Sequence, residues 1–174
     1  MRWFWVDRFT EFVSGSHAKG IKNVALDEEV LDEYQPGFPY LPSTVIIEGM
    51  AQIGGILVAE HFAFDKRVVL AKVGKAAFHQ VARPGDQLCY TVKLDGLQPD
   101  GATVATTSYR GDVLQAEIEL MFAFLEPNRI MDGPLFKPGD LRAMLRLMNF
   151  FHVAVDRDRK STRLNSSHTV ISYA

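Results

Sequence analysis

Alternation of apolar and polar residues organises most of this chain. It is clearest in Leu88, Tyr90, Val92 and Leu94, and again in Leu114, Ala116, Ile118, Leu120 and Phe122. A side-chain period of two is the mark of a half-buried strand. Six strands are predicted on this basis, over residues 8–13, 17–24, 68–79, 86–94, 103–110 and 112–124. Ser14-Gly15-Ser16, Pro84-Gly85-Asp86, Pro99-Asp100-Gly101 and Arg110-Gly111-Asp112 mark the reversals between or before them, since these residue types favour turns. One segment breaks the pattern. From Ser43 or Thr44, either of which is a suitable cap, to about His61 the chain is apolar on nearly every side, which predicts a helix that must be buried. Its glycines Gly49, Gly54 and Gly55 weaken a helix but admit close neighbours, so strands are expected to wrap it. Two strands, a buried helix and a run of longer antiparallel strands make an α+β fold.

Glu48 stands inside that apolar helix. Hydrocarbon surroundings disfavour the charged form of a carboxyl group, which is one way to obtain a proton donor near neutral pH. Glu48 is therefore a candidate general acid, with Gln52 one turn later placed to orient it. The alternative is a structural carboxyl satisfied by Gln52, and the two roles of Gln52 are compatible.

The loop before the helix and the helix itself carry a resemblance. Pro36-Gly37-x-Pro39-x-x-Pro42 followed by Ile47-Glu48-Gly49-Met50-Ala51-Gln52 is similar to the signature of the 3-hydroxyacyl-acyl carrier protein dehydratases of the hot-dog fold, His-Phe-Pro-Gly-x-Pro-x-x-Pro-Gly and then Glu-Ala-x-Ala-Gln. Phe78, the segment Arg83-Pro84-Gly85-Asp86-Gln87-Leu88 and the closing strand at 115–124 also resemble that family, and the likeness runs over roughly residues 8–126. It implies an antiparallel β-sheet wrapped around a long central helix. It also implies removal of water from a 3-hydroxyacyl thioester, giving a trans-2-enoyl thioester in fatty acid or lipid biosynthesis. By the same resemblance the substrate is carried on phosphopantetheine, as an acyl carrier protein or CoA thioester, with no further cofactor. Gly37, Pro42, Ser43 and Gln52 fall at substrate-binding positions, and the assembly is a dimer whose sites combine the loop of one subunit with the helix acid of the other.

Two departures bear on chemistry. Where the family has a histidine that removes the C2 proton, fourteen residues before the acid, this chain has Tyr34, with Gln35 after it. Deprotonating an ordinary tyrosine at pH 7 costs about 4 kcal/mol, so Tyr34 is a poor base. Ser43 replaces the loop glycine, a milder change because a backbone N–H at a helix start can serve an oxyanion whatever the side chain. The resemblance thus leaves four readings: a homodimer lacking the histidine, a heterodimer in which Glu48 serves a paralogue's histidine, a non-catalytic acyl-binding or scaffold subunit, and a hot-dog thioesterase, in which a carboxylate activates water.

Composition narrows the rest. A formal charge of −2 and a pI near 6.2 give no broad basic field for nucleic acid or an anionic membrane. Arg67, Lys72, Lys75 and Arg83 are either a solvated face or a basic rim for an acidic carrier protein. The single cysteine, Cys89, excludes an intrachain disulfide and reads as a buried structural thiol. His61 and His79 read as structural and His17 as solvent-facing, and no His, Cys and carboxylate spacing suggests a metal site. No signal peptide or membrane span is expected, which makes cytoplasmic residence the default.

Residues 1–126 are assigned to the hot-dog domain and 127–156 to an extension. That extension carries an amphipathic helix at 138–151, with Leu141, Met144, Leu145 and Met148 along one stripe, expected either to lie on the sheet's outer face or to dock another protein. Apolar side chains there and at Trp3, Phe4 and Trp5 suggest cover by a partner subunit. Residues 157–174 read as a non-native or disordered tail, because the stretch from Ser161 is polar, aperiodic and similar to translated adapter read-through.

Overall fold

A computed structural model describes residues 4–34, 37–125, 138–156 and 158. Its centre is the apolar helix. Strands β1 (Arg8–Val13) and β2 (His17–Asn23) form a hairpin, a short helix α1 (Glu29–Tyr34) follows, and α2 (Ser43–His61) crosses the molecule. Strands β3 (Arg67–Phe78), β4 (Gln87–Gln98), β5 (Gly101–Arg110) and β6 (Val113–Leu125) then complete the sheet, and α3 (Pro138–Leu147), α4 (Phe150–Val153) and β7 (Ala154–Val155) form the extension. The strand order is β3-β6-β5-β4-β2-β1-β7. Every neighbouring pair is antiparallel except β1 with β7.

The sheet wraps α2 because alternate residues of its strands point at it. Leu88, Tyr90 and Val92 of β4, Ala102 and Val104 of β5, and Ile118, Leu120 and Phe122 of β6 share one core with Ile46, Met50, Ile53 and Leu57 of α2. The glycine at position 54 lets β5 and β6 approach α2 closely. A Cβ at Gly54 would stand 3.1 Å from the Phe122 ring and 3.3 Å from Val104. This is the α+β hot-dog arrangement expected from the sequence.

The α2 start differs from expectation. The capping position is Pro42, whose carbonyl accepts from the Val45 and Ile46 amides at 3.0 and 3.2 Å, and neither Ser43 nor Thr44 supplies a side-chain cap. At the other end, the Ser14 hydroxyl donates to the Glu60 carboxylate at 2.6 Å and ties the helix to the β1–β2 turn. Burial pushes the Glu60 carboxyl above its ordinary range, against the lowering effect of the Ser14 bond.

Other corrections follow from which face a residue occupies. Cys89 is exposed, not buried, because Leu88 and Tyr90 take the inward positions of β4. His17 is partly covered, bonded to Glu11 at 3.0 Å and facing the Ser16 hydroxyl at 3.0 Å, rather than open to solvent. The acidic stretch before the loop contains α1, which no apolar period announced, and β7 is too short for any pattern to show.

The extension is packed differently from either expectation. Its helix breaks at Asn149, which adopts φ 61°, and the chain turns back so that β7 adds a parallel strand to β1. Leu145, Met148 and Phe150 are buried, and the Phe150 ring meets Phe12 at 4.7 Å and Phe9 at 5.8 Å, edge to face. The apolar stripe therefore covers the chain's own β1 edge rather than the sheet's outer face. Trp5 also packs against the core, so partner cover is not required for it, while Trp3 and all of the 157–174 tail except Asp158 lie outside the described residues. Phe150→Ala should cost about 3–5 kcal/mol by opening a cavity beside the Phe9 and Phe12 rings. Denaturant unfolding checks this; a loss below about 1 kcal/mol would show that the extension is only loosely applied to the sheet.

Candidate functional site

Glu48 lies in the second turn of α2, half-buried, with Ile47 partly buried and Gly49 and Met50 buried around it. Its Oε1 accepts a hydrogen bond from Gln52 Nε2 at 3.1 Å. Gln52 in turn accepts at Oε1 from the backbone N–H of Trp5 at 3.0 Å. The helical i, i+4 spacing brings Glu48 and Gln52 together. The segment leading into β1 brings Trp5.

That segment crosses α2 at Gly49. A Cβ at this position would be 2.7 Å from the Trp5 carbonyl oxygen and 3.0 Å from Tyr90 Cε2, so only glycine fits under the crossing without displacement. Val6 is buried, the Asp7 amide donates to Ile21 at 2.8 Å, and the Asp7 carboxylate accepts from the Asn23 amide and side chain at 2.7 Å each. Buried Lys22 bonds Glu28 at 2.5 Å, approaches Asp7 at 3.8 Å, and lies 5.8 Å from the Trp5 ring centroid.

Tyr90 completes the floor. Its hydroxyl is buried and has no hydrogen-bond partner among the described residues. Burial pushes the phenol far above its ordinary range, and the Asp7 and Glu28 carboxylates push it further. Tyr90 is thus a neutral phenol throughout the range in which proteins work, and not a replacement base.

The remaining predicted site residues are spread over the approach to the helix. Gly37 has φ +81°, a left-handed conformation that favours glycine, and a Cβ there would meet open space, so its function is to turn the loop. Leu41 is buried and its amide bonds the Ala82 carbonyl at 2.7 Å, which anchors the loop beside Pro42. Ser43 is exposed at the first helical position, about 7.5 Å along the axis from Glu48. Tyr34 is the last residue of α1; its side chain, with Gln35 and Pro36, lies outside the described residues.

Arg67, Lys72 and Lys75 lie along β3, whereas Arg83 precedes β4, its guanidinium 4.4 Å from the Phe38 ring centroid. Arg83 shares an open cleft of about 390 Å³ with Gln80, Val81 and Arg110. Arg110 is already engaged there by Gln80 at 2.5 Å and Asp86 at 3.3 Å. Among the described residues no group of three or more His, Cys, Asp or Glu side chains is placed to hold a metal ion.

Sequence reasoning missed Trp5, Lys22 and Tyr90 as neighbours of this site. The available signal was Gly49, a glycine in mid-helix beside the acid.

Comparison with known proteins places the chain in a family. The dehydratase FabZ of Desulforamulus reducens, a 3-hydroxyacyl-[acyl-carrier-protein] dehydratase, is 37% identical over 119 residues, which cover 68% of this chain and 84% of the relative. The enzyme of the same name from Pelotomaculum thermopropionicum is 38% identical over 119 residues, covering 68% and 85%. Among solved structures, the dehydratase heterocomplex ApeI:P from Xenorhabdus doucetiae superposes with a TM-score of 0.60 at 15% identity, over 82% of this chain and 90% of that one, a likeness of fold. The FabA-like domain model matches residues 3–119. With two thirds of its length matched and relatives above one third identical, the chain belongs to the FabA-like domain family.

Proposed function

We propose that this protein supplies the acid of a 3-hydroxyacyl thioester dehydratase, with Glu48 protonating the departing hydroxyl. The observation that carries this reading is the Glu48 carboxyl on the wrapped helix, held by Gln52 in a chain whose relatives are named for this reaction. The substrate is an acyl chain on a phosphopantetheine thioester, either an acyl carrier protein or CoA, and the protein works in the cytoplasm. Elimination moves two protons. One leaves C2 to a base, the C2–H electron pair becomes the C2=C3 double bond, and the C3–O bond breaks as Glu48 turns the hydroxyl into water. Tyr34 does not suit the first step, and Tyr90 is a neutral phenol, so the base comes from elsewhere.

A paralogous subunit bearing the histidine is the source we propose. Among the described residues strand β3 ends the sheet, paired with β6 on one side only, and it runs for twelve residues with Leu70 and Val73 exposed at 38% and 37%. A long edge with exposed apolar residues suits a strand-to-strand partner. At the opposite side β7 pairs with β1 at Phe12 and Val13, so among the described residues β3 is the longer edge for association. Gly37, Pro42 and Ser43 then belong to the loop that faces the partner's acid, and Gln52 stays with its own.

The test is an assay of trans-2-enoyl thioester hydration by the purified chain and by the chain co-expressed with a histidine-bearing paralogue. Negligible turnover alone and turnover in a stable complex are expected. Full activity from the chain alone would overturn the paired reading. Inactivity of both, with acyl thioester still bound, would replace the enzyme by an acyl-binding subunit, and hydrolysis of the thioester without enoyl formation would replace it by a thioesterase.

A further inference from the structure

Glu48 has two carboxyl oxygens, and only one is engaged by Gln52. Which group Gln52 presents to Glu48 is decided by Trp5. A backbone N–H can only donate, so the Gln52 amide oxygen must face Trp5 and its NH2 must face Glu48. Without that donor the amide could rotate and offer its oxygen to a protonated carboxyl instead. The crossing segment therefore sets the direction of a hydrogen-bond chain that ends on the acid.

Resting on the dehydratase reading above, we propose that residues 4–7 form a positioning strap whose Trp5 N–H, through Gln52, fixes Glu48 Oε1 as an acceptor and places the transferable proton on Oε2. The protonated acid has the O–H on Oε2 and the carbonyl oxygen Oε1 bonded to Gln52. When Oε2–H protonates the leaving hydroxyl, the C3–O electron pair goes to water. The carboxylate left behind keeps the Gln52 donor, now charge-assisted and stronger than before. The strap thus favours the state that the reaction produces.

Several contacts hold the strap in place rather than leaving it a frayed end. Val6 is buried, Asp7 bonds Ile21 and Asn23, Lys22 stands by the Trp5 ring, and Gly49 gives the Trp5 carbonyl room against α2. These tie the strap to β2, so the orientation of Gln52 is set by the sheet rather than by α2 alone. A rigid donor of this kind reduces the rearrangement needed as the proton leaves.

The test compares Trp5→Pro, which removes the N–H, with Trp5→Phe, which keeps it. In the active complex, kcat of Trp5→Pro should fall about tenfold to a hundredfold below that of Trp5→Phe, with KM within about twofold. Independently of turnover, the Gln52 side-chain NH2 resonance of the 15N-labelled full chain should shift in Glu48→Gln and again in Trp5→Pro, but remain near its native position in Trp5→Phe. If Trp5→Pro does not fold, Gln52→Met replaces it in the kinetic arm, with the same split expected. Equal kcat in folded Trp5→Pro and Trp5→Phe, or a Gln52 resonance indifferent to both Glu48→Gln and Trp5→Pro, would overturn the strap. Absence of dehydration in every complex would instead count against the dehydratase reading, and the resonance alone would then decide whether the strap orients Gln52.

Discussion

Tyr34→His is expected to raise hydration of a trans-2-enoyl thioester by the purified chain about 10²- to 10⁴-fold, the contribution typical of a positioned general base. The reason is the proton affinity of the two side chains. Imidazole with a pKa of about 6.5 is largely free to accept a proton at pH 7, whereas phenolate formation at a pKa of about 10 is uphill by about 4 kcal/mol. The loop supports the substitution: Gly37 makes its turn, Leu41 is anchored to Ala82, and Pro42 opens α2. Two differences from the family signature, Gln35 and Ser43, set the limit of the gain. A variant that folds with an unchanged melting temperature yet gains nothing would show that position 34 does not face the substrate.

The fold was legible in the sequence where burial imposes a period. β4 and β6 alternate because one face packs on α2, and α2 is apolar all round because strands wrap it. Elements that depend on tertiary pairing were not legible. α1 has no apolar stripe of its own beyond Val30 and Leu31, and β7 exists because two residues pair with Phe12 and Val13. The extension showed its stripe but not its target, since a helix pattern records which side is apolar and not what it meets. At Cys89 the alternation was read correctly and the phase was not applied: with Leu88 and Tyr90 inward, position 89 must point out. At the site, Glu48 and Gln52 could be paired by helical spacing alone. Trp5 could not, because nothing in a local pattern joins residues 47 apart.

Glu48→Gln is expected to abolish dehydration by the mixed complex, a loss of at least about 10²-fold and as much as about 10⁴-fold. Amide and acid have the same shape, so packing beside Met50 and Gly49 is retained, and Gln52 can still donate to the new carbonyl oxygen. The variant loses only the acidic proton. Homodimers of the partner would carry intact sites of their own, so the partner's acid must be replaced as well, leaving Glu48 as the acid that serves its histidine. The measurement is turnover of the 3-hydroxyacyl thioester at saturating substrate, with melting temperature as the control for folding. Acyl-thioester affinity should change little, because the lost interaction belongs to the proton-transfer step rather than to ground-state binding. Turnover within about twofold of the unsubstituted complex at a matched melting temperature would remove Glu48 from the mechanism. A large rise in KM with kcat preserved would instead make it a binding group, and the acid would then have to be sought on another element of the sheet.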